Sequence, residues 1–390
     1  MLKAYRYRLY PSKPQQRLLD STLETARRWY NDCLAQRKAA FELVGWSVPY
    51  TYQLRQVKTR KAESPFAAGV HSHVLQLVCT DLERAFHAFF RRVKAGEQPG
   101  YPRFKGRNRF SSFGFKEYGN GFRLDGRRLK VSGIGRIAVR WHRELPSQPK
   151  TLRLVRQADD WYAVLVCETE SVTLEQTGQE VGIDVGIHAL IATSDGHCEP
   201  NPGWYRASQQ KLRVAQRRVA RRKKGGANRR RAVRTLQRVA AHVQAQRQDF
   251  VNKLADGLIE QYDWIALEDL RIRNMVRNHH LAKSILDSGW GYLQSRLSRK
   301  AEEAGRHVVF VDPRNTSQEC SGCGAYQALT LKDRWVQCAC GLSLDRDVNA
   351  AKNILLRSRP GHGRWAPTVD HYCSLWGSAS HAVAQEAAGL

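Results

Sequence analysis

The first residues of the chain alternate between apolar and basic side chains. Tyr5, Tyr7 and Leu9 fall on one side of this alternation, and arginines fall on the other. Because side chains on a β-strand point alternately to its two faces, residues 3–10 are predicted to form a half-buried strand. The sequence SKPQ at 12–15 combines an N-cap serine, an early proline and a capping-box glutamine, so a helix is predicted to begin directly after the strand.

The spacing of apolar residues divides the following sequence into helical and β-rich stretches. Helical spacing extends to about residue 94. Strands are predicted next, including one at 161–169, and a polar link is predicted at 175–179. Residues 211–260 are predicted to form two long helices separated by KKGGAN, with an apolar seam on one side and arginines on the outer faces.

Two further apolar segments carry acidic residues. VGIDVGIHALIATSDG at 181–196 predicts two strands joined by a glycine turn, with Asp184 on the same face as two glycines. This face leaves room for a metal ion and a phosphodiester. WIALEDL at 264–270 predicts another strand, which ends in Glu268 and Asp269.

The sequence LDRDVNAAKNIL at 344–355 predicts the start of a helix that carries two aspartates. A helix that begins near Arg346 would pack a stripe of residues spaced i, i+3, i+4 and i+7 against a sheet: Asp347, Ala350, Ala351 and Ile354. Asp345 precedes the helix, where a side-chain oxygen can accept hydrogen bonds from free backbone N–H groups. We therefore expect Asp347 to face the site and Asp345 mainly to cap the helix.

The composition adds a strong preference for nucleic acid. Lys and Arg number 64 against 36 Asp and Glu, which gives a net charge of +28 over 390 residues. A surface with this excess repels itself unless a polyanion neutralises it. The longest apolar runs are too short to span a bilayer, and the first residues lack a signal-peptide core. We therefore expect a cytoplasmic protein that associates with nucleic acid and has no membrane partner.

Acidic residues at two strands and one helix start, in so basic a chain, favour phosphodiester hydrolysis. Two Mg²⁺ ions about 4 Å apart can hold the attacking water and the leaving oxygen, and they take oxygen ligands. Each acidic residue alone has a structural explanation, as a turn, a strand end or a helix cap. Their combination favours a Mg²⁺-dependent nuclease.

Four of the nine cysteines form two closely spaced pairs, Cys320 and Cys323 in CSGCG and Cys338 and Cys340 in CACG. Four thiolates would form a closed, structural Zn²⁺ site, because no position is left for water. The second pair has one intervening residue instead of the usual two, and four reduced cysteines without metal are the alternative. The remaining cysteines are predicted to be packing residues: Cys33, Cys79, Cys167, Cys198 and Cys373.

The segment GYPRFKGRNRFSSFGFKEY at 100–118 interleaves aromatic and basic side chains. Such alternation suits a strand or loop that contacts phosphates and stacks bases. A strand with one core face and one solvated face is the alternative, and we favour binding because of the net charge. The rings and cations are Tyr101, Phe104, Phe110, Phe113 and Phe115, and Arg103, Lys105, Arg107, Arg109 and Lys116.

These motifs, in this order, resemble those of TnpB, the OrfB-type transposase family of small insertion sequences, ancestral to the compact type V CRISPR effectors. The resemblance covers nearly the whole chain. It rests on YRLYPSKPQQ, LERAFHAFFRRVKAG, GYPRFKG, GIDVGI, LEDL, KSILDSGWG, DPRNTSQECSGCG and DRDVNAAKNIL. It implies an α/β fold combined with a β-barrel and a helical lobe, in which an RNase H-like RuvC nuclease domain contains an inserted zinc ribbon.

The resemblance also implies six segments. In chain order they are the first strand of a wedge-like β-barrel (1–10), a helical recognition lobe (11–98), the remainder of the barrel (99–176), the first part of the RuvC domain (177–312), a zinc ribbon that binds target nucleic acid (313–344) and the last RuvC helix (345–358). The C-terminal tail (359–390) is not covered by the resemblance, and its composition, rich in Gly, His, Trp and Ser, predicts disorder.

Transferred by motif, the RuvC triad of Mg²⁺ ligands falls on Asp184, Glu268 and Asp347, and the zinc ligands fall on the four paired cysteines. The family implies a transposon-derived guide RNA that directs cleavage of double-stranded DNA beside a short adjacent motif, by a monomer with one RNA. Predicted nucleic-acid contacts are Ser72, His73 and Gln76, which match family positions near that motif, and Arg103, Phe104, Lys105, Arg218 and Arg222.

The expected function is therefore RNA-guided, Mg²⁺-dependent DNA cleavage, and two alternatives differ from it in class. An RNA-guided repressor would bind DNA with an inactive nuclease site, although all three acidic residues are present. A transposase would use the same two-metal chemistry to join DNA strands. It would need a DNA-binding domain to recognise the element's ends, and no helix-turn-helix is evident in the sequence.

Overall fold

The structure is a computed structural model that describes residues 1–107, 109–330 and 332–359. Two compact units divide the chain, the first comprising Met1–Glu170 and the second beginning at Ser171. Among the described helices, none combines the length and apolar character that a membrane crossing requires. The predicted C-terminal tail, apart from its first residue Arg359, and Cys373 lie outside the described residues.

The first unit contains one strand, then helices, then further strands. Their bounds are β1 (Leu2–Tyr10), α1 (Lys13–Val44), α2 (Tyr50–Glu63), α3 (Pro65–Ala68), α4 (Ser72–Lys94), β2 (Ser112–Phe115), β3 (Glu117–Tyr118), β4 (Gly121–Asp125), β5 (Arg128–Val131), β6 (Gly135–Arg140), β7 (Pro149–Gln157) and β8 (Asp160–Glu168).

The strands of the first unit form one sheet in the order β2-β7-β8-β1-β6-β5-β4-β3. The predicted first strand is confirmed and lies inside this sheet, antiparallel to both β8 and β6. Its apolar face enters the core, with Tyr5, Tyr7 and Leu9 buried. The chain thus inserts α1 to α4 between two strands that share a sheet, while the predicted closure into a barrel stays a prediction.

The capping box predicted at the start of α1 is confirmed. The backbone N–H of Gln15 donates to Ser12 Oγ at 3.4 Å, and the backbone N–H of Ser12 donates to Gln15 Oε1 at 3.0 Å. Pro14 lies in the first helical turn, where it removes no helical hydrogen bond. The helix ends at Gly45, whose φ of 65° favours glycine.

The second unit contains the two long helices and the strand hairpin that the sequence predicts. Its elements are β9 (Glu180–Val185), β10 (Ala189–Thr193), β11 (Cys198–Pro200), α5 (Trp204–Ala220), α6 (Ala227–Gln261), β12 (Trp264–Glu268), α7 (Ile272–Met275), α8 (Ala282–Ser288), α9 (Trp290–Ala304), β13 (His307–Val311), β14 (Trp335–Gln337), β15 (Ser343–Asp345) and α10 (Arg346–Arg357).

A five-stranded sheet in the order β11-β10-β9-β12-β13 organises the second unit. The pairs β11–β10 and β10–β9 are antiparallel, whereas β12 runs parallel to β9 and β13. Ile183 and Leu267 belong to the main core of this unit, together with residues of α6 and α9. Ala266 belongs instead to a smaller cluster with Ile354 of α10, so α10 packs against the opposite face of the sheet.

Gly182 allows α10 to approach this face closely. A Cβ atom at this position would lie 2.0 Å from the carbonyl oxygen of Ala351 and 2.7 Å from the backbone nitrogen of Leu355. No side chain fits at such a distance. Ala350 and Ala351 are also fully buried, so small residues on strand and helix together set the short spacing between α10 and the sheet.

Candidate active site

Two of the predicted acidic residues share the sheet face that α10 covers. In the parallel pairing of β9 and β12, Gly182 lies opposite Ala266. Continuing that register by two residues places Asp184 level with Glu268. Because side chains alternate along a strand, both carboxylates point to the same face as Gly182 and Ala266.

Asp347 completes the group from the first turn of α10. A Cβ atom placed on Gly186, which follows β9, would lie 3.9 Å from Asp347 Oδ2. Glu268 is 9% exposed, and Asp184 and Asp347 are half-buried. The structure therefore brings together acidic residues that are far apart in the sequence.

The electrostatics of the three carboxylates reflect burial and mutual repulsion. Burial raises the pKa of Asp184 well above its usual value, and the charges of Glu268 and Asp347 raise it further. Burial also raises the pKa of Glu268, although a hydrogen bond from the Thr316 hydroxyl and the charge of Arg357 oppose this change. The pKa of Asp347 is raised by burial and then by the neighbouring Asp345.

This donor set fits a hard divalent cation. It offers only carboxylate oxygens, which Mg²⁺ prefers, and a cation would relieve the repulsion that raises the pKa of Asp184. The carboxylate oxygens of the three residues do not all lie within 4.8 Å of one another. Among the described residues, only the ligand atoms of the four paired cysteines lie that close together.

The neighbouring Asp345 has a different role, as the sequence predicts. α10 begins at Arg346, and Asp345 is its N-cap residue. Asp345 Oδ1 accepts hydrogen bonds from the backbone N–H groups of Asp347 at 2.8 Å and Val348 at 3.2 Å. The predicted register of α10 is confirmed, and Ala350, Ala351 and Ile354 are buried below Asp347.

The four paired cysteines form the second candidate metal site. Their sulfur atoms all lie within 4.8 Å of one another, with 3.6 Å between Cys320 and Cys340 and 3.5 Å between Cys323 and Cys338. Although burial raises it, hydrogen bonds from the backbone N–H groups of Cys323 and Gly322 help to lower the pKa of Cys320 to about 7. The one-residue spacing of the second pair therefore does not prevent the four sulfur atoms from converging on one site.

A second face of α10 binds the loop that carries the first cysteine pair. The side-chain amide of Asn353 donates to the carbonyl oxygens of Thr316 at 2.8 Å and Glu319 at 2.7 Å. Asn349 donates to Glu319 at 2.7 Å and accepts from the backbone N–H of Ser321 at 2.9 Å. Both asparagines are buried. Sequence reasoning missed this role, although two asparagines four residues apart on an apolar helix were a signal.

Three family models match parts of this chain. A model described as "Probable transposase" matches residues 163–279, one described as "Cas12f1-like, TNB domain" matches 290–354, and one described as "Helix-turn-helix domain" matches 1–44. The second matched region contains the paired cysteines and most of α10.

Whole-length relatives decide the family. A Streptomyces pristinaespiralis protein named "Putative RNA-guided DNA endonuclease" is 34% identical over 362 residues, which cover 90% of this chain and 88% of that protein. The chain belongs to the TnpB family. The Escherichia coli K12 protein named "Putative RNA-guided DNA endonuclease InsQ" is 28% identical over 376 residues, 91% of this chain and 92% of that protein.

The TnpB fold also resembles a solved structure. The protein in "Cryo-EM structure of the Cas12f1-sgRNA-target DNA complex" matches with a TM-score of 0.60 at 11% identity, covering 92% of this chain and 99% of that one. This similarity concerns the fold.

The amino-terminal segment of this TnpB chain does not fold as the matching model's description suggests. Residues 1–44 form β1 followed by α1, a single helix of 32 residues. No helix-turn-helix is evident in the sequence, so the match to a model with that description was not anticipated.

The predicted adjacent-motif residues of this TnpB chain lie in the first two turns of α4, and all three are half-buried. Lys61 Nζ donates to Ser72 Oγ at 3.3 Å, and the His73 ring lies 4.6 Å from the ring of His71. The carbonyl of Gln76 accepts from the Thr80 hydroxyl at 3.1 Å. Contact between these residues and DNA stays a prediction.

The interleaved segment divides into an exposed loop and a core strand. Arg103 and Phe104 are exposed, and the loop is fixed to α1 because the backbone N–H of Lys105 donates to Asn31 Oδ1 at 2.8 Å. In β2, however, Phe113 and Phe115 are 2% and 1% exposed. The prediction that these two rings stack on bases is wrong, because they fill the core of the first unit.

Two further outcomes concern the arginines and the single cysteines. Arg218 and Arg222 are exposed at and just beyond the end of α5, and their contact with nucleic acid stays a prediction. Cys198 is exposed on the edge strand β11, so its assignment as a packing residue is wrong. The buried positions confirm that assignment for Cys33, Cys79 and Cys167.

Proposed function

We propose that this chain is an RNA-guided DNA endonuclease that hydrolyses double-stranded DNA beside a short adjacent motif. The observation that carries the proposal is the convergence of Asp184, Glu268 and Asp347 on one sheet face. Relatives that match about nine tenths of the chain are named putative RNA-guided DNA endonucleases, which supports the proposal.

The strand order supports an RNase H-like RuvC domain. Three consecutive antiparallel strands continue into two parallel strands, and α10 packs against one face. We assign 177–312 and 345–358 to this domain and 313–344 to an inserted zinc ribbon. In the first unit, the inner position of β1 supports a wedge-like domain formed by 1–10 and 99–176, with the helical recognition lobe at 11–98.

The three carboxylates would hold two Mg²⁺ ions, which take oxygen ligands. When bound, such ions lower the pKa of water and stabilise the leaving oxygen of a phosphodiester. The protein orients the ligands: the Thr316 hydroxyl donates to Glu268 Oε1, and Gln294 Nε2 donates to the carbonyl of Glu268 at 3.1 Å. Asp345 is not part of this support, because it accepts from the backbone N–H of Asp347 as the N-cap of α10 and does not contact the Asp347 carboxylate.

The cysteines would hold a structural Zn²⁺ ion that orders the inserted ribbon. Asn349 and Asn353 connect this ribbon to the helix that carries Asp347. Loss of zinc would therefore weaken the hydrogen bonds that Asn349 and Asn353 of α10 make to the ribbon. Cleavage would fall, with less effect on the binding of RNA.

The guide RNA would supply the sequence specificity, and the protein would bind the backbone of the RNA and of the heteroduplex. The net charge of +28 and the exposed arginines around the end of α5 support this role. We expect the purified protein to carry RNA and to be poorly soluble without it. Well-behaved, RNA-free protein at low salt would contradict this expectation.

Gln76, near the start of α4, would help to read the adjacent motif. A glutamine side chain can bind adenine bidentately in the major groove, which is worth about 1–3 kcal/mol of discrimination. Gln76→Ala is expected to relax the preference at one position of the motif. An unchanged preference in a randomised library would remove Gln76 from the proposed reading residues.

One experiment tests the proposed function. The gene is expressed with its downstream flank, the RNA that copurifies is sequenced, and the particle is incubated with Mg²⁺ and a plasmid library randomised beside the guide-matched target. Selective linearisation of plasmids with one adjacent motif is expected, together with its loss in Asp184→Ala.

The alternatives predict different results in the same experiment. Retention of matched plasmids without cutting, by both proteins, would indicate a repressor. Joined strands in place of free ends would indicate a transposase. Either result would overturn the proposed nuclease.

A further inference from the structure

The turn between β9 and β10 lies beside two of the proposed metal ligands. It begins two residues after Asp184, and Gly186 faces Asp347, since a Cβ atom there would lie 3.9 Å from Asp347 Oδ2. The same added atom would lie 2.7 Å from the carbonyl oxygen of Ala189, so the turn is also tightly folded. A shift of this turn would therefore change the spacing between the two carboxylates.

Hydrogen bonds from outside the turn fix its three successive carbonyl groups. Trp290 Nε1 donates to the carbonyl of Gly186 at 3.3 Å. Asn201 Nδ2 donates to the carbonyl of Ile187 at 3.0 Å, and the backbone N–H of Asn201 donates to the carbonyl of His188 at 3.2 Å. The donors come from the end of β11 and the start of α9.

Asn201 is itself held by the last residues of α8. Asn201 Nδ2 also donates to Ser288 Oγ at 2.9 Å, and the Ser288 hydroxyl donates to the carbonyl of Ser284 at 2.9 Å. The adjacent carboxylate of Asp287 accepts from Arg247 at 2.8 Å and from the backbone N–H of Tyr205. Asp287 and Ser288 are buried.

Burial alone does not account for these bonds. Gly186 and Ile187 are half-buried and His188 is exposed, so water could satisfy their carbonyl groups. Direct bonds to the buried Trp290 and the half-buried Asn201 instead restrict the conformation of the turn. Replacing residues that orient metal ligands without binding the metal themselves typically lowers metal affinity by about 10–100-fold.

We propose that Trp290, Asn201 and Ser288 are positioning residues that hold the Gly186–His188 turn and thereby set the spacing of Asp184 and Asp347 for divalent cations. This assigns a role to the sequence DSGW at 287–290, and it rests on the proposed nuclease function. The three residues do not touch the reacting atoms. They act through the backbone of the turn.

The test compares two indole N–H deletions in the full chain with its copurified RNA. Trp290→Phe removes the bond to Gly186. Trp264→Phe is the matched control, because it removes a bond of 2.9 Å from Trp264 Nε1 to Ser358 Oγ in the same unit, away from the turn. Ser288→Ala is a smaller second variant that deprives Asn201 of one partner.

Metal occupancy at the site is measured with Fe²⁺ as the probe. In the presence of ascorbate and peroxide, bound Fe²⁺ cleaves the protein backbone close to it, here near residues 184–188 and 347. In Trp290→Phe the Fe²⁺ concentration at half-maximal protein cutting is expected to rise about 10-fold, with a smaller rise in Ser288→Ala. The Mg²⁺ concentration for half-maximal DNA cleavage should rise in parallel, while the rate at saturating Mg²⁺ largely recovers. Trp264→Phe should match wild type in both titrations.

Other outcomes separate this inference from the proposed function. Wild-type metal titrations in Trp290→Phe and Ser288→Ala, with only lower thermal stability, would overturn the inference while leaving the nuclease intact. The proposed function itself fails if wild type does not cleave DNA and if its backbone cleavage by Fe²⁺ is absent or is the same in Asp184→Asn. Should Trp290→Phe not fold, Ser288→Ala decides by the same two titrations.

Discussion

The two candidate metal sites of the second unit contrast in how the chain builds them. The cysteine site takes four ligands from two short loops, and its sulfur atoms all lie within 4.8 Å of one another. The carboxylate site takes its ligands from β9, β12 and α10, and their oxygens stay further apart. The charges of the other two carboxylates raise the pKa of Asp184. The cysteine site is compact and local. The carboxylate site is assembled from distant parts of the chain, and repulsion among its carboxylates destabilises it.

The difference indicates what each metal would contribute. Zinc at the cysteines would supply folding free energy to a segment with short strands and little core of its own. Cations at the carboxylates would supply chemistry, while the fold supplies the energy that holds like charges together. Removal of a ligand should therefore have opposite effects on stability at the two sites.

The largest effect is expected at the carboxylate site. Asp184→Asn should lower single-turnover cleavage about 10³-fold or more, because a lost cation ligand removes several kcal/mol of transition-state stabilisation. The metal-free variant should unfold at a higher temperature than wild type, since the repulsion of a buried charge by Glu268 and Asp347 is gone. Asp269→Asn, at the neighbouring strand end, is the control and should cut normally. A less stable Asp184→Asn would break the proposed contrast.

The cysteine site should respond in the opposite direction. Cys338→Ser is expected to lose bound zinc, expose residues 313–344 to proteolysis and lower cleavage about 10–100-fold through disorder beside α10. Zinc content, limited proteolysis and RNA binding are the measurements, and RNA binding should change least. Cys198→Ser is the matched control, because Cys198 is exposed and lies outside the cluster. Freshly purified wild type with well under one zinc per chain would contradict the assignment.

A smaller effect is expected where the two sites meet. Asn353→Ala removes two buried hydrogen bonds to the cysteine loop, so the free energy of unfolding should fall by about 2 kcal/mol. Zinc should also leave faster in the presence of a chelator. Lys352→Ala, on the exposed side of the same helix, serves as the control. Equal zinc-release rates in the two variants would show that α10 does not support the ribbon.

Features set by local sequence could be predicted. The strand β1, the capping box of α1, the β9–β10 hairpin and the start of α10 follow from periodicity and capping within a few residues. The stripe that ends in Ile354 also follows, because one helix face must pack against a sheet. These predictions needed no knowledge of distant partners.

Features that depend on distant partners could not be predicted. The burial of Phe113 and Phe115 depends on strand pairing with β7, and an alternating cation and ring pattern fits either a core strand or a binding strand. The bonds of Asn353 to the cysteine loop join residues that are 34 and 37 positions apart. Nothing local identifies the Trp290 indole as a donor to Gly186.

The assignment of the active site is tested most directly by comparing Asp347→Ala with Asp345→Ala. These two aspartates are separated by one residue and have different proposed roles. Both variants are assayed for target binding and single-turnover cleavage at saturating Mg²⁺, together with thermal unfolding. We predict that Asp347→Ala binds guide and target but does not cut. Asp345→Ala should cut near the wild-type rate and lose about 1 kcal/mol of stability, the usual value of an N-cap. Normal cleavage by Asp347→Ala with a dead Asp345→Ala would contradict the assignment of the active site.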